Sequence, residues 1–182
     1  MDIDNARTPQ DSDTTITELM IPSFANFGGK IHGGILLSMM DKVAYACATK
    51  HAGNYCVTVS VEGVDFLQAV EVGDLVSMMA RVNYVGNTSL VVGIKVTAEN
   101  VKNQHVKHTN TSYFTMVAKD ENGLVQVPPL LLRSKNDVRR FADVIYRKKL
   151  KKYYIEQMEK VHEHQFDEIV SLLENERCQV LV

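Results

Sequence analysis

Between residues 34 and 51, apolar side chains recur every three or four positions, which is the period of an α-helix. This apolar stripe consists of Leu36, Met39, Met40, Val43 and Cys47. Most other positions of the segment are also apolar or small, and a helix of that composition is buried on most sides. Lys50 and His51, followed by Gly53, are typical of a helix C-terminus. The pattern therefore predicts one long, buried helix.

After Gly53 the period changes to two, as in a strand with one apolar face. Alternation over residues 57–62, 75–85, 92–98 and 114–118 predicts four strands, with turn residues near positions 73, 87 and 103. A further strand is predicted at residues 14–21, where Pro22 stops it. Strands joined by short connections pair antiparallel. We therefore predict an α+β fold in which one antiparallel sheet wraps around the helix.

The two ends of the chain differ in composition from this central part. Residues 1–13 are polar and predict a mobile N-terminal arm before a domain at residues 14–132. Residues 133–182 contain no Gly or Pro and show helical apolar spacing, which predicts a helical C-terminal extension. Within it, residues 147–152 are strongly basic. Such a run forms either a solvated helix face or a docking patch for an anionic surface.

Composition and charge exclude several classes of protein. The net charge of -2 argues against a general nucleic-acid binder, which is usually basic. Cys47, Cys56 and Cys178 lack the spacing of a metal site and predict reduced thiols. The N-terminus lacks the features of a signal peptide, and no stretch approaches the ~18 apolar residues of a membrane helix. We therefore expect a cytoplasmic protein with no membrane span and no nucleic-acid partner.

Asp41 is the first candidate for chemistry, because it lies inside the predicted helix. Its neighbours one turn away are Leu37, Ser38, Ala44 and Tyr45. A carboxylate in such surroundings loses water and becomes a stronger base. Proteins seldom bury a carboxylate without a partner or a purpose. Two roles therefore stay open for Asp41: a catalytic base, or a structural group that binds loop amides.

The glycine-rich loop at residues 23–34 carries further candidates. The side-chain amide of Asn26 can donate and accept hydrogen bonds, although Asn also forms turns. Gly33 and Gly34 stand where the helix begins, and the free backbone N–H groups there suit an oxyanion or a phosphate. His32 precedes them, either as a base or as a loop residue bonded to the backbone.

Metal and nucleotide motifs are weak or missing in the sequence. His105 and His108 fall in a predicted strand, where residues three apart face opposite sides. His162 and His164 fall in a predicted helix, where residues two apart also diverge. The sequence has no G-x-S-x-G elbow, no P-loop and no G-x-G-x-x-G fingerprint. We therefore expect no metal, no cofactor and no nucleophilic serine.

Five segments together carry a family resemblance. They are residues 22–34 (PSFANFGGKIHGG), 40–44 (MDKVA), 57–66 (VTVSVEGVDF), 85–89 (VGNTS) and 127–130 (VPPL). In combination they resemble the hotdog-fold acyl-CoA thioesterases, in particular the bacterial YciA-like enzymes and the brain-type cytosolic acyl-CoA hydrolases of mammals. The resemblance implies the hotdog fold, in which five or six antiparallel strands wrap around one long central helix.

The resemblance also implies a reaction and roles for particular residues. The reaction is hydrolysis of an acyl-CoA thioester to the free acid and coenzyme A. Asp41 would activate water or attack the thioester, and Asn26 would orient water or substrate from the facing subunit. The start of the helix, with His32, Gly33 and Gly34, would bind the substrate and polarise its carbonyl. The working unit would be a homodimer, often assembled into a hexamer.

The same resemblance places the coenzyme A portion near Asn87, Thr88 and Ser89. Many relatives carry Arg or Lys at the position of Asn87, which weakens the expected phosphate contact here. Lys30, Lys42 or a lysine of the C-terminal extension could supply the missing charge.

Three other functions stay open on the sequence. A hotdog hydratase or dehydratase commonly needs a His, but position 46, about one turn after Asp41, is Ala. A phenylacetyl-type thioesterase would share the reaction and differ in the acyl group. A non-catalytic module that senses acyl-CoA would commonly carry a DNA-binding helix-turn-helix, for which the N-terminal arm is too short.

Overall fold

The computed structural model describes residues 5–161, 166–173 and 176–181. A 3-10 helix at Pro9–Ser12 precedes strand β1, Thr14–Leu19, and another at Pro22–Phe24 precedes helix α1, Gly33–Ala52. The following strands are β2 (Tyr55–Glu62), β3 (Leu75–Val85), β4 (Ser89–Asn100), β5 (His105–Asp120) and β6 (Gly123–Leu124). The last elements are the helices α2 (Lys135–Val161) and α3 (Phe166–Leu172).

The strands form one six-stranded sheet in the order β1-β3-β4-β5-β2, with β6 paired to β5. Every pair in it is antiparallel. The core lies between this sheet and α1, whose buried side includes Leu36, Met40, Val43 and Cys47. Met78, Ile94 and Phe114 are among the sheet residues in that core. The predicted α+β hotdog architecture, with its long central helix, is confirmed.

Helix α1 is buried on one face only, so the prediction of burial on most sides is wrong for the single chain. Leu37 and Tyr45 are 37% and 42% exposed, and Asp41 is also exposed. The sheet covers one side of the helix, and nothing in the described chain covers the other. The uncovered face is therefore the one that carries Asp41.

The described part of the predicted N-terminal arm makes hydrogen bonds to the rest of the domain. Arg7 pairs with the segment after the sheet: its N–H donates to Pro129 O (2.9 Å), and its carbonyl accepts from Leu131 N (2.8 Å). Ser12 is fully buried, and its hydroxyl oxygen accepts from Val82 N at 2.9 Å. Residues 5–13 are therefore part of the domain, because their polar groups bond to it. Residues 1–4 lie outside the described residues.

Phe141 ends a first compact unit of the chain, and Ala142 begins a second. The second unit contains most of α2 together with α3, so the helical character of the extension is confirmed. The division of the chain at residue 132 stays a prediction. His162 and His164 lie outside the described residues. In the described parts of the chain, no helix combines the length and apolar character needed to cross a membrane.

Candidate active site

Asp41 lies beside strand β2 and is hydrogen-bonded to it. The hydroxyl of Thr58 donates to Asp41 Oδ1 at 2.6 Å. The pairing of β2 with β5 shifts register between Thr58 and Ser60, so Val59 is an extra residue in the strand. A bulge of this kind bends a strand and re-aims the neighbouring side chain. The bulge therefore marks the place where β2 presents Thr58 to the helix.

A groove of about 320 Å³ opens next to this pair. Its lining consists of Asp41, Lys42, Tyr45, Tyr55, Cys56, Val57, Thr58 and Met116. The rings of Tyr45 and Tyr55 form one side, with their centroids 6.0 Å apart. The groove is therefore mostly apolar, with a carboxylate and a hydroxyl in its wall. Such a site suits a substrate with an apolar tail and a reactive polar group.

Cys56 lines the same groove and could be considered as a nucleophile. Its side chain is buried, and its Sγ donates to Asn54 O at 3.5 Å. Burial raises the pKa of the Cys56 thiol above its ordinary value. Since only the thiolate attacks efficiently, Cys56 is a poor nucleophile. Apart from Lys42 and the two tyrosines, Asp41 is the remaining acid–base group in the lining of the groove.

His32, the residue before α1, caps the start of the helix. Nδ1 of His32 accepts from Gly34 N at 2.9 Å, which confirms the predicted alternative of a histidine bonded to the backbone. The Gly34 amide is therefore already engaged, and Gly33 is the remaining candidate among the two predicted oxyanion donors. An added Cβ on Gly33 would lie 3.2 Å from the ring of Phe66. Glycine there lets this aromatic ring approach the start of the helix.

The side-chain oxygen of Asn26 stabilises the glycine-rich loop. Its Oδ1 accepts from Gly28 N (2.9 Å) and Lys30 N (3.1 Å), so the turn-forming alternative is present in the structure. Gly29 follows with a φ of 74°, a conformation that favours glycine. The Asn26 side chain as a whole is exposed. Asn26 does not line the groove at Asp41.

Asn87 and Thr88 lie in the turn between β3 and β4, and Ser89 is the first residue of β4. Gly86 N donates to Ser89 O (2.7 Å), and Val127 N donates to Asn87 O (2.9 Å). A second cavity, of about 610 Å³, is lined by Asn87 together with Asn5, Val85, Gly86, Phe141 and residues 126–130. It shares no lining residue with the groove at Asp41. Ser89 pairs with Val117 of β5, and Val117 pairs with Val57 of the groove, so within one chain the predicted coenzyme A segment lies two strands away from β2.

The two lysines considered as replacement phosphate ligands differ in their surroundings. Lys30 Nζ lies 2.6 Å from Glu71 Oε1 and 2.7 Å from Oε2, so its charge is balanced within the chain. Lys42 lines the groove beside Asp41. Lys42 is thus the better placed of the two. For metal binding, no cluster of three or more His, Cys, Asp and Glu side chains occurs among the residues that the structure describes.

Comparison with known proteins identifies the family. Residues 28–103 match the Thioesterase superfamily. A solved apo-hexameric acyl-CoA thioesterase is 32% identical with a TM-score of 0.79, over 82% of this chain and 97% of that one. The chain belongs to the acyl-CoA thioesterases. This thioesterase is also 42% identical to protein VdlD of Helicobacter pylori, over 73% of this chain and 76% of that protein.

Two more distant relatives of the thioesterase add detail. The human cytosolic acyl coenzyme A thioester hydrolase is 27% identical over 72% of this chain, which spans about a third of that protein (36%). An acyl-CoA hydrolase of Staphylococcus aureus, solved with butyryl coenzyme A and coenzyme A, is 26% identical with a TM-score of 0.74, over 87% of this chain and 99% of that one. Three solved variants of that hydrolase each replace one residue with Ala: an Asn, an Asp or a Thr. The Asp lies 15 residues after the Asn, and the Thr lies 17 residues after the Asp.

Sequence reasoning missed Thr58 and the two tyrosines of the groove. The alternation marks Thr58 only as a polar position of a strand, and helical spacing marks Tyr45 only as a neighbour of Asp41. Periodicity could not show which strand lies beside the exposed face of α1, because that depends on sheet order. The signal in the sequence was a hydroxyl residue within the matched segment 57–66, facing away from the apolar positions.

Proposed function

We propose that this thioesterase hydrolyses acyl-CoA thioesters with Asp41 as the general base and Thr58 as the residue that positions it. The observation that carries the proposal is the 2.6 Å hydrogen bond from Thr58 to Asp41 in the wall of an apolar groove. The Staphylococcus aureus variants support it, because Asn26, Asp41 and Thr58 have the same order and the same spacing in this chain.

The two carboxylate oxygens of Asp41 have different roles in this mechanism. Oδ1 of Asp41 is occupied by Thr58, which leaves Oδ2 to accept a proton from water. The water oxygen attacks the thioester carbonyl carbon, and Asp41 takes the proton. The tetrahedral intermediate then collapses and expels the coenzyme A sulfur, to which Asp41 returns the proton. Direct attack by Asp41, with a mixed anhydride as intermediate, is the less favoured variant.

The negative charge that develops on the thioester carbonyl oxygen needs hydrogen-bond donors to stabilise it. The amide of Gly33 lies in the first turn of α1, where N–H groups have no acceptor within the helix and the dipole is positive. Asn26 Nδ2 is the second candidate. Removing a single donor of this type typically slows catalysis by ~100- to 1,000-fold.

The proposed working unit is a homodimer, because one chain holds an incomplete site. Strand β2 is at the edge of the sheet and leaves Val59 and Val61 exposed at 55% and 43%. A long edge strand with apolar side chains readily pairs with another strand. Pairing of β2 with β2 of a second copy would cover the face of α1 that carries Asp41. Further assembly into a hexamer follows the solved hexameric relative.

In such an assembly, Asn26 and the segment at Asn87, Thr88 and Ser89 would come to Asp41 from a neighbouring copy. Lys42 would then compensate for the neutral Asn87 near a phosphate. The proposal needs water and acyl-CoA alone, with no metal and no cofactor. We place the protein in the cytoplasm, as the name of its human relative suggests for that protein.

The test is thiol release from a series of acyl-CoAs of increasing chain length, with Asp41→Asn beside the unchanged protein. We expect turnover by the unchanged protein and a loss of about 100-fold or more in kcat for Asp41→Asn. Asp41→Asn keeps the shape and can still accept from Thr58, so folding and oligomeric mass should not change. Absence of thiol release by a folded oligomer that binds coenzyme A would instead support the sensing module.

Labelled water separates the two forms of the mechanism. In a single turnover, a general base leaves the enzyme carboxylate unlabelled. Label incorporated into Asp41 would replace the general-base form with direct attack.

A further inference from the structure

Helix α2 exposes several large apolar and aromatic side chains from Tyr146 onward. Tyr146, Leu150, Tyr153 and Tyr154 are each between 60% and 67% exposed. Their spacing of three and four residues, continued by Val161, places them on one side of the helix. In the same unit, α3 also exposes Phe166 and Leu172. Exposed apolar surface of this kind usually marks an interaction site.

Basic residues border this apolar stripe on both sides. At 100° per residue, Lys149 and Lys160 fall on one border, and Arg147 and Lys151 fall on the other. Lys149 lies over the ring of Tyr146, with Nζ 5.8 Å from its centroid. Long basic side chains in this position can cover apolar surface with their stems and keep their charge in water.

The charge of the segment separates the possible partners. Residues 147–160 contain six basic and two acidic residues, although the whole chain has a net charge of -2. A second copy of α2 would bring like charges together along the stripe, which opposes pairing. An anionic surface complements them. Tyrosine is also enriched at the boundary between lipid headgroups and acyl chains.

We propose that the stripe Tyr146–Leu150–Tyr153–Tyr154 of α2 docks on the headgroup region of an anionic lipid membrane. The helix lies along the surface, since it lacks the length of apolar chain needed to cross. The apolar stripe enters the interface, and the flanking lysines face lipid phosphates. The contact is reversible and depends on salt, because part of the attraction is electrostatic. The inference is independent of hydrolysis and extends beyond it.

The experiment is flotation of the full-length protein with vesicles of equal parts phosphatidylglycerol and phosphatidylcholine. We expect binding to these vesicles and little binding to pure phosphatidylcholine. Binding should fall when salt is raised to about 1 M, where the screening length is about 3 Å. Equal binding to both kinds of vesicle would overturn the electrostatic part of the proposal.

Two variants test the two halves of the surface. The triple change Lys149→Gln, Lys151→Gln and Lys160→Gln, which removes all three lysines that border the stripe, should weaken vesicle binding by about 100-fold. The change Leu150→Gln with Tyr154→Gln should weaken it by at least about tenfold, because two apolar side chains leave the interface. Gln is a good helix former, and circular dichroism checks that the helix is retained.

A matched control removes the same charge from the first unit: Lys95→Gln, Lys102→Gln and Lys119→Gln, all at exposed positions. We expect the control to bind vesicles like the unchanged protein. An equal loss in the control and in the α2 variants would overturn the proposal. A change in oligomeric mass for the α2 variants, without vesicle binding by the unchanged protein, would assign the stripe to a contact between copies.

Discussion

The hydroxyl of Thr58, on strand β2, donates to Oδ1 of Asp41, on helix α1, over 2.6 Å. Because one oxygen of the carboxylate is engaged, the other has a defined position from which it can reach water. The same bond ties the edge strand to the exposed face of the helix. The acidic group and its orienting partner are thus both presented at the uncovered side of the domain.

Thr58→Ala should lower kcat by about 10- to 100-fold, because a hydrogen bond to a charged group contributes about 1.5–3 kcal/mol. Thr58→Ser keeps the hydroxyl and should retain most of the activity. Steady-state kinetics of both variants measure the effect, and the fall should appear in kcat more than in KM. A loss of the same size in Thr58→Ser would mean that Thr58 acts through packing.

Tyr55→Ala should change the preferred acyl chain. Tyr55 and Tyr45 narrow the groove beside Asp41, so removing one ring makes room for longer or bulkier acyl groups. We expect the ratio of kcat/KM for dodecanoyl-CoA to that for butyryl-CoA to rise by about tenfold or more. Tyr55→Phe keeps the ring and serves as the control. An unchanged ratio in Tyr55→Ala would show that the acyl chain binds elsewhere.

His51 should make stability depend on pH. Nε2 of this buried residue donates to Pro128 O at 2.9 Å, and its Nδ1 has no hydrogen-bond partner among the residues that the structure describes. Burial lowers the pKa of His51, and the nearby charge of Arg7 lowers it further. The unfolded chain therefore binds a proton near pH 6.5, where the folded chain does not. The contribution of neutral His51 to the stability of the folded state is complete above about pH 6.5. It is lost as the pH falls through the pKa of His51 in the folded state.

Thermal unfolding at pH 7.5 and at pH 5.5 measures this effect. The Tm of the unchanged protein should fall between these pH values by more than the Tm of His51→Gln. The glutamine keeps an N–H for Pro128 O and does not titrate. Equal falls in both proteins would assign the pH dependence to other groups.

Much of the fold could be predicted because the apolar periods are strong. The helix at residues 34–51 and the strands at 57–62, 75–85 and 92–98 lie within a few residues of α1, β2, β3 and β4, whereas β5 begins nine residues before the predicted strand at 114–118. Burial was less predictable, because a pattern shows which face is apolar and not what covers it. In β2, Cys56 is buried, whereas Val59 and Val61 of the predicted apolar face are exposed. For the same reason Asp41 was expected to be buried and is not.

The site was predicted in part. Asp41 was placed on the helix and His32 before it, since both follow from the chain order around residues 32–41. The link to Thr58 depends on the order of strands in the sheet, which no local pattern carries. That Asn87 and Asp41 line different cavities likewise depends on three-dimensional packing.

Arg7 has a consequence for how the protein forms during synthesis. Its guanidinium donates to the carbonyls of Lys50 and His51, at the end of α1, and its backbone pairs with Pro129 and Leu131. Nearby, Gln10 bonds to Asp137, a residue 127 positions further along the chain. During synthesis, Arg7 and Gln10 can form these contacts only after residues 129–137 have been made, and long-range closures of this kind fold slowly. The last carbonyls of the helix that carries the proposed catalytic base thus share a partner, Arg7, with the segment that follows the sheet.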